Sequence, residues 1–146
     1  MENKKRIKEL AQNYFNQWNK NDTSYLVDIF TDEVEFNGNI YPIIVDWAKQ
    51  AIGHDAVMEM NQFEDDIILH AHPLSIDVIG DTAYCDLIIT VSKIHDFGPP
   101  ELLYELRVMD VINFSPGGKV MEITAYKGAF PEGMLEGQPL RKPIEN

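Results

Sequence analysis

The 146-residue sequence has one cysteine, Cys85, so no disulfide can form within the chain. Disulfide-stapled folds are thereby excluded, and a reducing compartment suits the lone thiol. Basic residues are also scarce: 12 Lys and Arg stand against 24 Asp and Glu, a formal net charge of −12. Four of the basic residues, Lys4, Lys5, Arg6 and Lys8, fall in the first eight positions and read as the solvated first turn of a helix. The acidic remainder repels phosphate backbones and anionic bilayers, which argues against nucleic acid or membrane as partner. No apolar stretch approaches the roughly 18 residues that span a bilayer. The charged start, Met1 to Leu10, has no signal-peptide core, so a soluble cytoplasmic protein is expected. Phosphate-cradling glycine loops, dinucleotide fingerprints and internal repeats are missing too.

What is present is an ordinary globular composition, 45% hydrophobic and long enough for one domain with a real core. Ile7, Leu10, Ala11, Tyr14, Phe15 and Trp18 form one helical stripe, broken by Asn19-Lys20-Asn21-Asp22. Asp22 or Thr23 can cap a second, shorter helix bearing Leu26, Ile29 and Phe30. Val34-Glu35-Phe36 reads as a short strand closed by an Asn37-Gly38 turn. Residues 39–52 admit either a strand or a helical turn. Ala56, Met60, Phe63 and Ile67 then suggest a third helix opened by Gly53-His54-Asp55.

Beyond it the period becomes two, with strands expected near 70–79, 82–95, 102–114 and 119–128. Their short connections make consecutive strands antiparallel neighbours. The chain reads as one domain over 1–130, with a Pro- and Gly-rich tail over 131–146. Helices followed by a meander imply an α+β fold: N-terminal helices packed on a curved antiparallel β-sheet that encloses a pocket.

Three patterns carry a family resemblance: helix 1 through Phe30-Thr31-Asp32-Glu33-Val34-Glu35-Phe36; Gly53-His54-Asp55-Ala56-Val57; and Val108-Met109-Asp110-Val111-Ile112-Asn113-Phe114 with Ile123-Thr124-Ala125-Tyr126. In order and spacing they resemble the nuclear-transport-factor-2-like superfamily, in its SnoaL-like and ketosteroid-isomerase-like branch. Scytalone dehydratase and limonene epoxide hydrolase share that superfamily.

Alternation along 102–114 places Asp110 among Leu106, Val108, Ile112 and Phe114 on the apolar face. A carboxylate there must be paired or must hold its proton. Tyr14 lies on the apolar stripe of helix 1, where a tyrosine is either core or catalyst. The resemblance to ketosteroid isomerases implies that Tyr14 and Asp110 are two oxyanion-hole donors, an arrangement that is itself a standard example of a buried neutral acid. The same resemblance expects an Asp base where this chain has Gly38, so the usual steroid isomerisation is not expected.

Replacement bases are His70 and His72, which share parity with Leu74, Ile76 and Val78, and Asp46, beside Trp47 in the ambiguous segment. Trp18, Phe36, Trp47, Met60, Phe63 and Ile123 are expected to line the pocket, and Lys127 either reaches its mouth or snorkels to solvent. His70-x-His72 lacks a third ligand at a metal-binding spacing, so neither metal nor other cofactor is expected. Arg107 and Asp110 should face opposite ways, unlike the Asp-Arg-Asp cluster of limonene epoxide hydrolase.

Cofactor-free acid–base chemistry on a small hydrophobic carbonyl compound is the leading expectation, of isomerase, cyclase or dehydratase type. A non-catalytic ligand-binding or dimerisation module is the alternative. The resemblance implies a homodimer packed through the outer sheet face, and strand parity offers Val120, Glu122, Thr124 and Tyr126 as contributors.

Overall fold

The apolar stripe of the first helix finds its partner in a single sheet, six-stranded among the described residues. This is a computed structural model, and it describes residues 2–38 and 50–127, with the backbone alone for Tyr104 and Lys127. Helix α1 (Glu2–Trp18) buries Ile7, Ala11, Tyr14, Phe15 and Trp18. After a 3-10 turn (Thr23–Tyr25) come β1 (Phe30–Gly38), β2 (Gln50–Ile52) and α2 (His54–Met60). The meander β3 (Ile67–Ile79), β4 (Thr82–Lys93), β5 (Glu101–Phe114) and β6 (Val120–Lys127) follows. Strand order is β2-β1-β6-β5-β4-β3. The expected α+β cone is therefore present, and extra residues in β1, β3, β5 and β6 bend its sheet.

One pairing departs from the antiparallel expectation. β1 runs parallel to β6, with Phe36 opposite Ile123 and Gly38 opposite Ala125. Hairpin connections dictate direction only for β3 to β6; nothing as short constrains β1, which reaches its neighbour through the tertiary fold.

Local expectations also shift. The second helix shrinks to the Thr23–Tyr25 turn, because Asp22 caps it through Ser24 N–H and Phe30 is already in β1. Asn37 and Gly38 continue the strand rather than turning, since β2 and β6 pair with Asn37 on its two sides. The third helix stops at Met60 with Asn61 as its cap, and Ile67 opens β3. Residues 39–49 and the expected tail lie outside the described residues.

The β5–β6 turn shows how tightly α1 is seated. Gly118 has φ +85°, and a Cβ there would stand 3.1 Å from the Arg6 guanidinium and 3.5 Å from Leu10 Cδ1. Arg6 itself donates to the Pro116 carbonyl at 3.1 Å. Gly118→Ala is expected to cost about 1–3 kcal/mol, from the left-handed backbone and the displaced guanidinium together. Urea denaturation measures this; a loss below about 0.5 kcal/mol would show that the turn relaxes freely.

Candidate functional site

Two elements bring the polar groups together. On β5, Leu106, Val108, Asp110, Ile112 and Phe114 all face inward and are buried. Asp110 is only 8% exposed, the one buried charged residue among the described residues, and it sits in register between Cys85 of β4 and Ala125 of β6. Across from it α1 presents Tyr14, 5% exposed, whose ring packs edge-on against Phe15 and Phe30. Both side chains line one small cavity whose apolar wall is Phe15, Phe36, Ala71, Leu87 and Ile89.

The electrostatics follow from burial. Loss of water pushes the Asp110 carboxyl up to about 7, with no hydrogen bond from a described neighbour to offset it. Burial, then the charges of Asp110 and Cys85, holds the Tyr14 phenol well above its ordinary value, so it stays protonated. Burial, with Asp110 and Asp77, likewise pushes the Cys85 thiol far up, which leaves it inert as a nucleophile. A phenol O–H and a half-titrated carboxyl thus face an apolar hollow. The hollow is small: water-sized centres reach about 10 Å³ of it, room for about one water.

Trp18 closes one end. Its indole N–H donates to Asn61 Oδ1 at 2.9 Å, and Asn61 Nδ2 donates to the Val57 carbonyl at 2.8 Å. Sequence reading passed over Asn61 because the third helix was carried through it. Two signals were available: Asn is a frequent helix C-terminal residue, and a buried indole N–H needs an acceptor.

Of the expected wall, Trp18 and Phe36 line the cavity. Ile123 is buried in the core and Met60 packs half-buried against it, neither on the wall, while Phe63 lines a separate outer cleft. Asp46 and Trp47 lie outside the described residues, as does the Lys127 side chain.

His70 and His72 require a correction. Leu69 and Ala71 are the buried residues at that end of β3, so the imidazoles point to the opposite, outer face. A bulge between Pro73 and Ser75 reverses parity, and Ile76 and Val78 take the inward positions beyond it. The two rings stack at 4.1 Å, and burial, then His72, lowers the His70 pKa.

Gly38 is buried at the end of β1, and Asp110 is the one carboxylate among the described cavity-lining residues. Arg107 faces outward as expected, bidentate on Asp86 at 2.6 and 2.9 Å. The same parity logic fails at Val120, which is fully buried because the β5–β6 register slips between Asn113 and Phe114.

No protein-family model matches the sequence, and no curated protein matches it. Solved structures do match. A candidate ketosteroid isomerase from Kribbella flavida superposes with TM-score 0.63 at 13% identity, over 98% of this chain and 93% of that one. An LEH-like epoxide hydrolase from M. tuberculosis gives 0.65 at 11% identity, over 86% and 84%. A candidate SnoaL-like polyketide cyclase from Shewanella denitrificans gives 0.67 at 11% identity, over 84% and 90%. At these identities the likeness is one of backbone architecture: the chain has the nuclear-transport-factor-2-like fold, in the form shared by ketosteroid-isomerase-like, SnoaL-like and LEH-like proteins.

Proposed function

We propose that the cavity holds the oxygen end of a small hydrophobic carbonyl compound and moves a proton on it without a cofactor. The observation that carries this reading is the Tyr14–Asp110 pair: two buried groups, neither with a hydrogen-bond partner among the described residues, in one apolar hollow. Tyr14 donates its hydrogen bond to the carbonyl oxygen. Asp110, near 7, takes the proton from the carbon beside the carbonyl when ionised. The C–H electron pair moves into an enolate whose oxygen charge rests on the phenol. Asp110 then returns the proton to the same carbon or to a conjugated one. Asp46 is retained as a second base and Trp47 as a further wall residue, whereas His70 and His72 have no part in the step.

Exchange of the α-protons of 2-tetralone in D2O, followed by NMR, tests the chemistry. The expected result is catalysed exchange that falls about 100-fold or more in Asp110→Asn. Binding of 2-naphthol, weakened in Tyr14→Phe, tests the oxygen site. The small volume of the cavity favours a second reading, a ligand-binding module without turnover; binding without exchange would select it. Neither binding nor exchange would sink both.

The outer sheet face, where Tyr84 is 37% and Tyr126 45% exposed, is proposed as the surface for a second copy of the chain. Among the described residues no helix is long and apolar enough to cross a membrane, and a buried lone thiol suits the cytoplasm.

A further inference from the structure

A second hollow lies outside the Tyr14–Asp110 cavity. It is an open cleft of about 720 Å³ beneath the C-terminal end of α1. Leu26, Phe63, Ile67 and Leu69 supply its apolar surface. Its charged lining residues are Lys20, Asp22, Glu64 and Asp65, and the Lys20 ammonium is occupied 4.1 Å above the Tyr25 ring. Two residues border both hollows, Trp18 and Asn61, and they are joined to each other by the 2.9 Å hydrogen bond.

A space of about 10 Å³ admits no ring compound; a benzene-sized ligand needs a hollow on the order of 100 Å³. A wall must therefore move before any such ligand reaches Tyr14 and Asp110. The α1 side is the fixed one. Just past Trp18, Asn19 and Asn21 each bond both backbone groups of a β3 residue, Ala71 and Leu69, at 2.7–2.9 Å. On the other side, Asn61 is tied to α1 through Trp18 alone among the described residues; its other bonds, Nδ2 to the Val57 carbonyl and N–H to the Met58 carbonyl, stay within its own short segment. Asn61 caps a seven-residue helix, and between Asn61 and Ile67 the chain has no helix or strand.

We infer that cleft and cavity are two halves of one ligand path, closed by the Trp18–Asn61 hydrogen bond and opened by movement of Asn61. The three carboxylates against one engaged ammonium make the path selective for uncharged or cationic compounds and unfavourable to anions. The inference rests on the proposed oxygen site for what lies at the inner end, but the passage itself does not.

Stopped-flow binding of 2-naphthol to wild type, Asn61→Ala and Trp18→Phe tests the gate. The association rate should rise about tenfold in each variant, whatever the loss of wall contacts does to Kd. Unchanged rates in both variants would overturn it. Tyramine should bind at least about tenfold more tightly than 4-hydroxyphenylacetate at low salt; equal binding would remove the charge selection.

Benzene, which has no oxygen, separates the two readings. It is followed through the methyl resonances of Ala71, Leu87 and Ile89, which line the cavity. If no phenol binds to any form but benzene enters Asn61→Ala faster than wild type, the passage stands and the oxygen site falls. If benzene entry is indifferent to both substitutions, the gate falls whatever the phenols do.

Discussion

Asp110→Asn should make the protein markedly more stable at pH 8 while leaving it about equally stable at pH 4. The carboxyl is held near 7 in the folded chain against an ordinary 3.8, so the folded state keeps a proton that the unfolded state releases. Stability attached to this group is intact below pH 4. It falls as pH rises between the two values, and above about 7 the full cost of the buried charge is present. A displacement of this size corresponds to about 4 kcal/mol. The amide removes that cost while keeping its own polar atoms in the same apolar hollow, so a net gain of about 2–4 kcal/mol at pH 8 is expected. Urea denaturation of both proteins at pH 4, 6 and 8 reads the difference directly, because every other titrating group cancels. A variant equally destabilised at all three values would mean that the carboxylate has a partner and carries no strain.

That cost is informative about function. An Ala or Leu at position 110 would pack in the apolar row of Val108 and Ile112 with no charge to bury. A group that destabilises the fold at neutral pH, opposite a phenol that cannot ionise there, fits a site kept for chemistry or binding rather than for stability. The two properties are linked in a measurable way. The pH at which the stability gain of Asp110→Asn levels off, about 7, should match the pH at which α-proton exchange by the wild type reaches half its plateau.

The sequence placed the buried polar residues more surely than their surroundings. Asp110, Cys85 and Arg107 were placed on their faces by alternation alone, because β4 and β5 stay in step from Cys85–Asp110 to Val91–Tyr104. The same arithmetic failed wherever one extra residue entered a ladder. The bulge at Pro73–Ser75 sent His70 and His72 outward, and the slip before Phe114 turned Val120 inward. Proline at position 73 was a visible warning, since it removes a ladder donor and favours irregular strand positions. Helical periodicity overran in the same manner. Leu26 and Ile29 are apolar at near-helical spacing, but β6 takes the Ile29 carbonyl through Val120 N–H at 2.8 Å, a tertiary bond no local pattern records. The parallel pairing of β1 with β6 is equally invisible, for it depends on where the sheet closes.

The segment Asn19-Lys20-Asn21-Asp22 looked like a helix stop and is also a cover for the sheet edge. Among the described strands β3 is terminal, and without the asparagines its outward backbone groups at Leu69 and Ala71 would be open to pairing with another chain. Asn21 takes both groups of Leu69, at 2.9 Å each, and Asn19 both groups of Ala71, at 2.7 and 2.9 Å. Two residues further on, Pro73 has no N–H to offer. Asn21 accepts φ 55° to make the reach, a conformation that asparagine tolerates better than most residues. Asn19→Ala with Asn21→Gly removes the four bonds without straining position 21. At roughly 1 kcal/mol net for each bond, partly repaid by water at the opened edge, the double variant should lose about 2–4 kcal/mol. It should also self-associate with rising concentration, seen by light scattering at protein concentrations where the wild type's assembly state is constant. Loss of stability without association would mean that the His70–His72 flank or the twist of the strand already blocks the edge. No loss of either kind would mean that water replaces the asparagines without cost, and the clamp would then be no firmer a wall for the ligand path than Asn61.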